Sequence, residues 1–242
     1  MTVERHLDWD GCYNVRDLGG LATIDGRRTR RGAVVRADGL DRLTTIGWAA
    51  LRAHGIRTVI DLRNDDEIVS MPDTAPRPTD LTTIHVPLDD SADTEFWQYC
   101  WSNALDGTPL YYQLFLDRKP ERCAAAVRAV ARAEPGGVVF HCGAGRDRTG
   151  LVSLLLLALV GVVSEEIAAD YDMSTPRLHP MWAARGMEDQ GPMIEAVLAR
   201  RNTTTRALLL DILASLDADA YLCAGSVSDG DLDAIHARLL DI

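Results

Sequence analysis

Residues 138–150 read Val-Val-Phe-His-Cys-Gly-Ala-Gly-Arg-Asp-Arg-Thr-Gly, a pattern that predicts a buried strand, a tight loop and the start of a helix. The apolar residues at its start suit a strand, and its two glycines suit a loop with close backbone approach. A thiol, Cys142, stands at the first loop position, and a guanidinium, Arg148, follows after five intervening residues. The apolar run 151–163 then predicts a buried core helix.

A loop of this length can turn its backbone N–H groups inward, and the following helix adds the positive end of its dipole, so the concavity suits a phosphate dianion. Arg148 can bind two phosphate oxygens as a fork, a geometry that Lys cannot supply. In the same field Cys142 is expected to be a thiolate that attacks the phosphorus of a phosphomonoester in line. Thr149 is predicted to hydrogen-bond the sulfur, and His141 to support the loop by bonding the backbone. The predicted phosphate-binding residues are Gly143, Ala144, Gly145, Arg146, Asp147 and Arg148.

Composition narrows the function classes. The 242 residues, 47% of them hydrophobic, suit one domain over 1–242, and the net charge of −11 argues against a nucleic-acid polymer as partner. Five scattered cysteines without a CxxC pair predict a reducing, cytoplasmic environment. The longest apolar run is too short to span a bilayer, so we expect no stable membrane insertion. The six histidines have no ligand spacing, so we expect neither a metal nor another cofactor. The oligomeric state is not predicted.

Strands and helices alternate along the chain, which predicts an α/β fold with a central, mostly parallel sheet flanked by helices. An N-terminal β-hairpin is predicted over 12–37, with its turn at Asp25-Gly26. Further strands are expected at 56–62, 81–88 and 138–141. Helices are expected at 43–54 and at 120–134. The apolar helix that follows the loop is expected to end near residue 161, and a further helix is expected to begin at a cap formed by Ser164. The predicted helical tail 164–242 contains an irregular segment, 174–191, and three closing helices at 192–200, 205–216 and 228–240.

The segment 91–118 is rich in aromatic residues and has the least regular pattern of the chain. It allows two interpretations. Its aromatic side chains could form helical core, or the segment could be a lid or pocket wall over the active loop, since long connections in compact domains are often functional.

The motif His141-Cys142-x-x-Gly145-x-x-Arg148-Thr149-Gly150 resembles the signature of the cysteine-dependent protein tyrosine phosphatase superfamily. The full loop is similar to that of its bacterial tyrosine/serine phosphatase family. Other segments carry the likeness across nearly the whole chain: 14–20, reading Asn-Val-Arg-Asp-Leu-Gly-Gly; 55–63, followed by Glu67; and the pairs Asp170-Tyr171 and Tyr221-Leu222. The resemblance implies a protein tyrosine phosphatase-like fold and a dual-specificity hydrolase of phosphoproteins.

Two positions depart from the family pattern. Arg146 stands where the family usually has Lys, and Ala37 follows Arg36 where it usually has Ser. In the family that Lys is linked to activity on phosphoinositides. Arg keeps the charge but is bulkier and planar, so phosphoinositides rank behind phosphoproteins and soluble phosphorylated metabolites, such as nucleotides or sugar phosphates, as expected substrates.

The leaving oxygen needs a proton, and two aspartates are candidates for the general acid. The resemblance implies Asp147, inside the loop. Asp90, with its neighbour Asp89, follows the strand at 81–88 and resembles the mobile-loop acid of dual-specificity phosphatases, although a solvated strand end explains this pair equally well. Arg63, at the end of a strand, could order the loop together with Asp61 or could touch substrate, and a structural ion pair of Arg63 with Asp61 is the favoured role.

The favoured function is therefore metal-free hydrolysis of phosphomonoesters through a phosphocysteine intermediate. Two other classes compete with it. A phosphate-binding module without turnover would use the same loop, but the presence of both Cys142 and Arg148 argues against it. A rhodanese-like sulfur transferase also uses a loop cysteine, but Arg-Thr-Gly at the end of the loop favours phosphate chemistry.

Overall fold

A computed structural model describes residues 5–71 and 73–241 and shows a five-stranded sheet in the order β1-β2-β5-β3-β4. The strands are β1 Arg16–Asp17, β2 Val34–Ala37, β3 Ile56–Asp61, β4 Thr82–His85 and β5 Gly137–His141. Only the pairing of β1 with β2 is antiparallel, and all other neighbours are parallel. The prediction of a mostly parallel central sheet is confirmed.

Helices cover both faces of this sheet. They are α1 Thr45–Ala53, α2 Asp65–Ser70, α3 Thr94–Ser102, α4 Tyr112–Arg118, α5 Pro120–Ala131, α6 Asp147–Leu159, α7 Ser164–Asp172, α8 Ser174–Ala184, α9 Gly191–Arg200, α10 Thr205–Ser215, α11 Ala218–Ala224 and α12 Asp229–Leu239. Two short 3₁₀ helices occupy Leu40–Arg42 and Pro109–Tyr111. Within the described ranges, no helix is both long enough and apolar enough to cross a bilayer.

The central position of β5 places the loop that follows it. All five residues of β5 are buried, and α6 packs below the sheet in the larger core cluster. Because α6 is enclosed by other elements, it is apolar on nearly all sides. In the sheet register, His141 lies beside Ala37 of β2 and Asp61 of β3. The loop after β5 therefore opens at the carboxyl edge of the parallel strands, where α/β folds place their ligands.

The predicted hairpin over 12–37 is present, although its tip is irregular. β1 and β2 pair over two residues, and a single bridge joins Ala22 to Arg28. Gly26 has φ +86°, as the predicted turn requires.

Two sequence predictions in the tail were wrong, and two short helices were missed. The segment 174–191, predicted as irregular, contains α8, because Leu178, Met181 and Trp182 are buried together despite Pro180 in the helix interior. Ser164 is the first residue of α7 rather than its cap, and it makes no capping hydrogen bond. The short helices α2 and α11 were not predicted, because each is too short for a clear apolar period.

The segment 91–118 is more regular than its sequence pattern suggested, since it forms α3, a 3₁₀ turn and α4. Phe96, Tyr112 and Phe115 are buried in the main core, which confirms the core interpretation for these rings. Tyr99 and Trp101 are exposed. That the segment acts as a lid stays a prediction.

Candidate active site

The loop between β5 and α6 is held in place by its neighbours on both sides. Gly145 has φ +66°, and a Cβ there would lie 2.4 Å from the carbonyl oxygen of Ala37. The Gly39 N–H donates to the carbonyl of Gly143 at 3.0 Å. His141 donates through Nδ1 to the carbonyl of Cys142 at 3.3 Å, which is the backbone support expected from the sequence. The loop is therefore fixed before any ligand arrives.

Replacing Gly145 by Ala is expected to damage this loop more than the small added volume suggests. The substitution forces a positive φ on a residue with a Cβ and drives that Cβ into β2, at a cost of about 1–3 kcal/mol. We expect a lower Tm and loss of inorganic phosphate binding, measured by thermal melting and calorimetry. Gly26→Ala is the control, because that glycine also has positive φ but a Cβ there meets nothing within 4 Å. Equal effects of both substitutions on phosphate binding would contradict the close-contact argument.

The candidate nucleophile is buried at the first position of the loop, and the recess is the space that the loop encloses between Cys142 and Arg148. Cys142 is 3% exposed, and Thr149, in the first turn of α6, donates its hydroxyl to Cys142 Sγ at 3.1 Å. This is the contact that the sequence predicted. It places the sulfur at the N-terminal end of α6, where the helix dipole favours negative charge.

Arg148 is held by two carboxylates. Glu67 of α2 accepts both guanidinium nitrogens, at 2.5 Å and 2.7 Å, and Asp89 Oδ2 lies 3.4 Å from Nη1. Burial works against the charge of Arg148, but these contacts and the nearby Cys142 keep its pKa well above the ordinary value. Glu67 also accepts the Asn64 N–H and so completes the capping box of α2. One carboxylate thus begins the helix and orients the guanidinium.

We expect Glu67→Gln to lower kcat about tenfold or more, because the guanidinium plane loses the charged fork that holds it. Steady-state kinetics on a phosphomonoester measures the change. Glu95→Gln removes an exposed ion pair with Arg118 and should leave kcat unchanged. An unaltered kcat in Glu67→Gln would show that Arg148 needs no such orientation.

Asp89 is the aspartate that the structure brings to Arg148. Its Oδ1 is buried without a hydrogen-bond partner. Burial, together with the neighbouring carboxylates of Glu67 and Asp147, raises the pKa of Asp89 to about 6, against the opposing effect of Arg148. Asp89 also lines a cavity of about 460 Å³ between α2 and the segment that follows β4.

Asp90 points to other partners. Its carboxylate lies 2.9 Å from Lys119 Nζ and 3.3 Å from Arg122 Nη2. The hydrogen bond from Lys119 lowers the pKa of Asp90. The structure therefore directs the Asp90 carboxylate away from the loop, and it is the carboxylate of the neighbouring Asp89 that lies beside Arg148.

The side chains of Arg146 and Asp147 form an ion pair with each other. Arg146 donates to the Asp147 carboxylate at 3.1–3.2 Å and to Gln190 Oε1 at 3.1 Å, and its side chain is buried. Asp147 Oδ1 also accepts the hydroxyl of Tyr171 at 3.0 Å. Arg146 was predicted as a phosphate ligand, but in this structure its guanidinium is engaged by these two partners.

The predicted ion pair between Asp61 and Arg63 is present and buried. Arg63 Nη2 lies 2.8 Å from Asp61, and Nη1 lies 2.8 Å from Asp41 of the first 3₁₀ helix. His141 Nε2 is 3.5 Å from Asp61, and burial lowers the pKa of His141 to about 4, so the ring is neutral at physiological pH. These residues pack beneath the loop as supports.

Two residues at the site had weaker signals in the sequence. Glu67 was visible only as part of a motif match, and the Asn64-x-x-Glu67 capping pattern was its only local signal. Asp89 was named only as the neighbour of Asp90. Across residues 5–71 and 73–241, no group of three or more His, Cys, Asp or Glu side chains is arranged to hold a metal ion.

Comparison with known proteins gives a consistent family. A family model described as "Tyrosine phosphatase family" matches residues 7–241. A Cupriavidus necator protein, provisionally named a tyrosine-protein phosphatase, is 32% identical over 72% of this chain and 64% of its own. A tyrosine-protein phosphatase of Nostoc commune is 33% identical over 59% of this chain and 48% of its own. The chain therefore spans less than two thirds of the length of these two relatives.

Two further proteins are similar at lower identity. The triple specificity protein phosphatase PtpB of Mycobacterium tuberculosis is 29% identical over 96% of this chain and 91% of its own. The solved structure of TpbA from P. aeruginosa in complex with pTyr is 14% identical, with a TM-score of 0.40 over 81% of this chain and 86% of that one. This last likeness is too weak to inform the site.

Proposed function

The chain belongs to the tyrosine phosphatase family, and from this premise we propose that it hydrolyses phosphomonoesters through a phosphocysteine formed on Cys142. One observation carries the proposal: the thiol and the guanidinium stand at the two ends of one rigid loop. Cys142 Sγ accepts the hydroxyl of Thr149, and Arg148, one residue earlier in α6, is oriented by Glu67. Nucleophile, sulfur donor and phosphate ligand are thus arranged around one recess.

In the first step the Cys142 thiolate attacks phosphorus while the bond from phosphorus to the ester oxygen breaks. Arg148 and the inward N–H groups of the loop stabilise the charge on the three equatorial oxygens. The leaving oxygen takes a proton from Asp89. In the second step a water molecule attacks the phosphocysteine, the Asp89 carboxylate takes the water's proton, and the phosphorus–sulfur bond breaks. The Thr149 hydroxyl stabilises the departing thiolate.

We assign the general acid to Asp89 on three grounds. Its Oδ2 contacts Arg148, its Oδ1 is buried without a hydrogen-bond partner, and its pKa of about 6 keeps a protonated fraction, half near pH 6 and about a tenth at pH 7. The carboxylate of Asp147 is bound by Arg146 and Tyr171, and that of Asp90 is bound by Lys119.

Phosphorylated protein side chains are the substrates we favour, phosphotyrosine first. Cys142 is buried, and phosphotyrosine carries its phosphate further from the backbone than phosphoserine does, which suits a buried nucleophile. The similar chain PtpB is named for triple specificity. Phosphoinositides rank last, because the Arg146 guanidinium is engaged by Asp147 and Gln190. A cytoplasmic location stays part of the proposal and agrees with the five cysteines, none of which forms a disulfide.

A phosphate-release screen tests this function. We expect phosphotyrosine peptides to give the highest kcat/KM among phosphopeptides, inositol phospholipids, nucleotides and sugar phosphates. Faster turnover of a nucleotide or sugar phosphate would move the substrate to soluble metabolites. Binding of inorganic phosphate without release from any ester would identify a binding module instead. Turnover of thiosulfate above that of p-nitrophenyl phosphate would favour sulfur transfer.

A further inference from the structure

The loop carbonyls that face away from the recess are bound by side chains from the N-terminal hairpin. Asn14 donates through Nδ2 to the carbonyls of Ala144 at 3.0 Å and Gly145 at 3.1 Å. Arg36 of β2 donates through Nη2 to the carbonyl of Gly145 at 2.8 Å. Asn14 and Arg36 are both fully buried. Neither residue had a role in the chemistry described above.

These contacts determine which way the loop amides point. A trans peptide holds its N–H opposite to its C=O. A carbonyl that is fixed on the outer side of the loop therefore aims the N–H of the same peptide unit toward the recess. Asn14 and Arg36 fix the carbonyls of Ala144 and Gly145, and so orient the N–H groups of Gly145 and Arg146, which are available to phosphate oxygens.

A buried carboxylate holds both donors in place from behind. Asp170 of α7 accepts Arg36 Nη1 at 2.8 Å and Arg16 Nε at 3.0 Å. Arg16 in turn donates through Nη1 to Asn14 Oδ1 at 2.6 Å, which leaves the Asn14 amide N–H₂ directed at the loop. This bond also settles the amide orientation, because only the oxygen of Asn14 can accept from Arg16. Asp170 is therefore connected to the loop carbonyls both through Arg36 and through Arg16 and Asn14.

The cluster carries excess positive charge directly behind the phosphate loop. Arg5, Arg16 and Arg36 all lie on the single carboxylate of Asp170. Burial and the neighbouring Arg36 lower the pKa of Arg16 only to about 9, so it stays charged at neutral pH. Asp38 is a second buried carboxylate beside the hairpin. It accepts the N–H groups of Tyr13 and Asn14, and burial raises its pKa to about 6. The three arginines outnumber the two buried carboxylates, and the resulting positive potential favours a dianion in the recess.

We propose that Asn14 and Arg36 are positioning residues that preorganise the phosphate loop, with Arg16 and Asp170 holding them. They never touch substrate. They act by fixing the outward carbonyls and by placing a buried cationic charge behind the loop. The inference relies on the proposed function only for its kinetic readout, because binding of inorganic phosphate requires no turnover.

The test compares Asn14→Leu and Arg36→Lys with Arg238→Met as a matched control. Arg238 also donates to main-chain carbonyls, those of Gly136 at 2.8 Å and Ala133 at 2.5 Å, but at the opposite end of β5. For each protein we would measure Tm, the Kd for inorganic phosphate by calorimetry, and kcat and KM separately. Asn14→Leu should weaken phosphate binding roughly tenfold and lower kcat/KM about 100-fold, because the loop amides lose their alignment. Arg238→Met should lower Tm and leave the phosphate Kd within about twofold, since its loss affects stability alone.

Arg36→Lys keeps the charge beside Asp170 but cannot fork between Asp170 and Gly145, so it should fold and bind phosphate more weakly than the wild type. If Asn14→Leu fails to fold, the phosphate Kd of Arg36→Lys tests the proposal instead. A wild-type phosphate Kd in any folded variant at Asn14 or Arg36 would overturn the proposal. A wild-type protein that binds phosphate but hydrolyses no ester, with variants that lose binding, would refute the proposed function and leave this inference standing.

Discussion

Cys142→Ser is expected to lower kcat by roughly 10⁴- to 10⁶-fold, the range typical for removal of a catalytic nucleophile. Among residues 5–71 and 73–241, the side chain at hydrogen-bond distance from Cys142 Sγ is the donor Thr149, so a serine hydroxyl there would have no base to activate it. Binding should survive, because the loop amides and Arg148 are unchanged. We would measure turnover of a phosphotyrosine peptide together with the Kd for inorganic phosphate.

The matched control is Cys123→Ala, a buried cysteine in α5 that belongs to the main core and lies outside the loop. It should cost some stability and leave kcat near the wild-type value. A Cys142→Ser protein that keeps more than about a tenth of the wild-type kcat would exclude covalent catalysis by this thiol, since even a supporting group at such a site usually costs more.

Asp89→Asn is expected to produce the second large effect. Loss of a general acid typically costs about 10²- to 10⁴-fold in kcat. The loss should be greatest for alkyl phosphates, whose leaving oxygen needs a proton, and smaller for p-nitrophenyl phosphate. Since the pKa of Asp89 is about 6, its acid form declines as pH rises through that value, and wild-type kcat on alkyl phosphates should decline with it. The Asn variant should lose this alkaline limb.

Asp147→Asn and Asp90→Asn decide between the three aspartates. Both should keep the alkaline limb, because their carboxylates bind Arg146 and Lys119 respectively. If Asp147→Asn alone removes the limb, the acid lies within the loop and our assignment is wrong. Stability gives an independent readout. A carboxyl whose folded pKa is raised destabilises the fold once it ionises, so Asp89→Asn should raise Tm at pH 8 relative to the wild type.

The sequence was sufficient for the parts of the site that depend on local chemistry. Cys142, Thr149 and Arg148 lie within eight residues of one another, counted from 142 to 149, and their strand, loop and helix follow from apolar runs and glycines. The same periodicity predicted the parallel sheet around β5. The contact of Thr149 with the sulfur and the support from His141 were also visible, because both lie on elements adjoining the loop.

The rest depends on contacts between distant segments. Asp89 and Asp90 are neighbours whose side chains point in different directions, and no local pattern tells which of them turns toward Arg148. Asn14 lies 130 residues from the carbonyl of Ala144 that it binds, so its role appears only once the hairpin is packed on the loop. Arg146 likewise binds Gln190, which follows α8, a helix that the sequence pattern did not predict.

Covalent phosphate on Cys142 is the most direct measurement of the central claim. The protein would be mixed with a phosphotyrosine substrate, quenched in acid within one turnover and digested, and its peptides analysed by mass spectrometry. We expect one added phosphoryl group on the peptide that contains Cys142. It should be present in the wild type, accumulate in Asp89→Asn when an aryl phosphate is used, and be absent from Cys142→Ser. Hydrolysis at the wild-type rate with no phosphoryl group on Cys142 at any quench time would contradict the central claim.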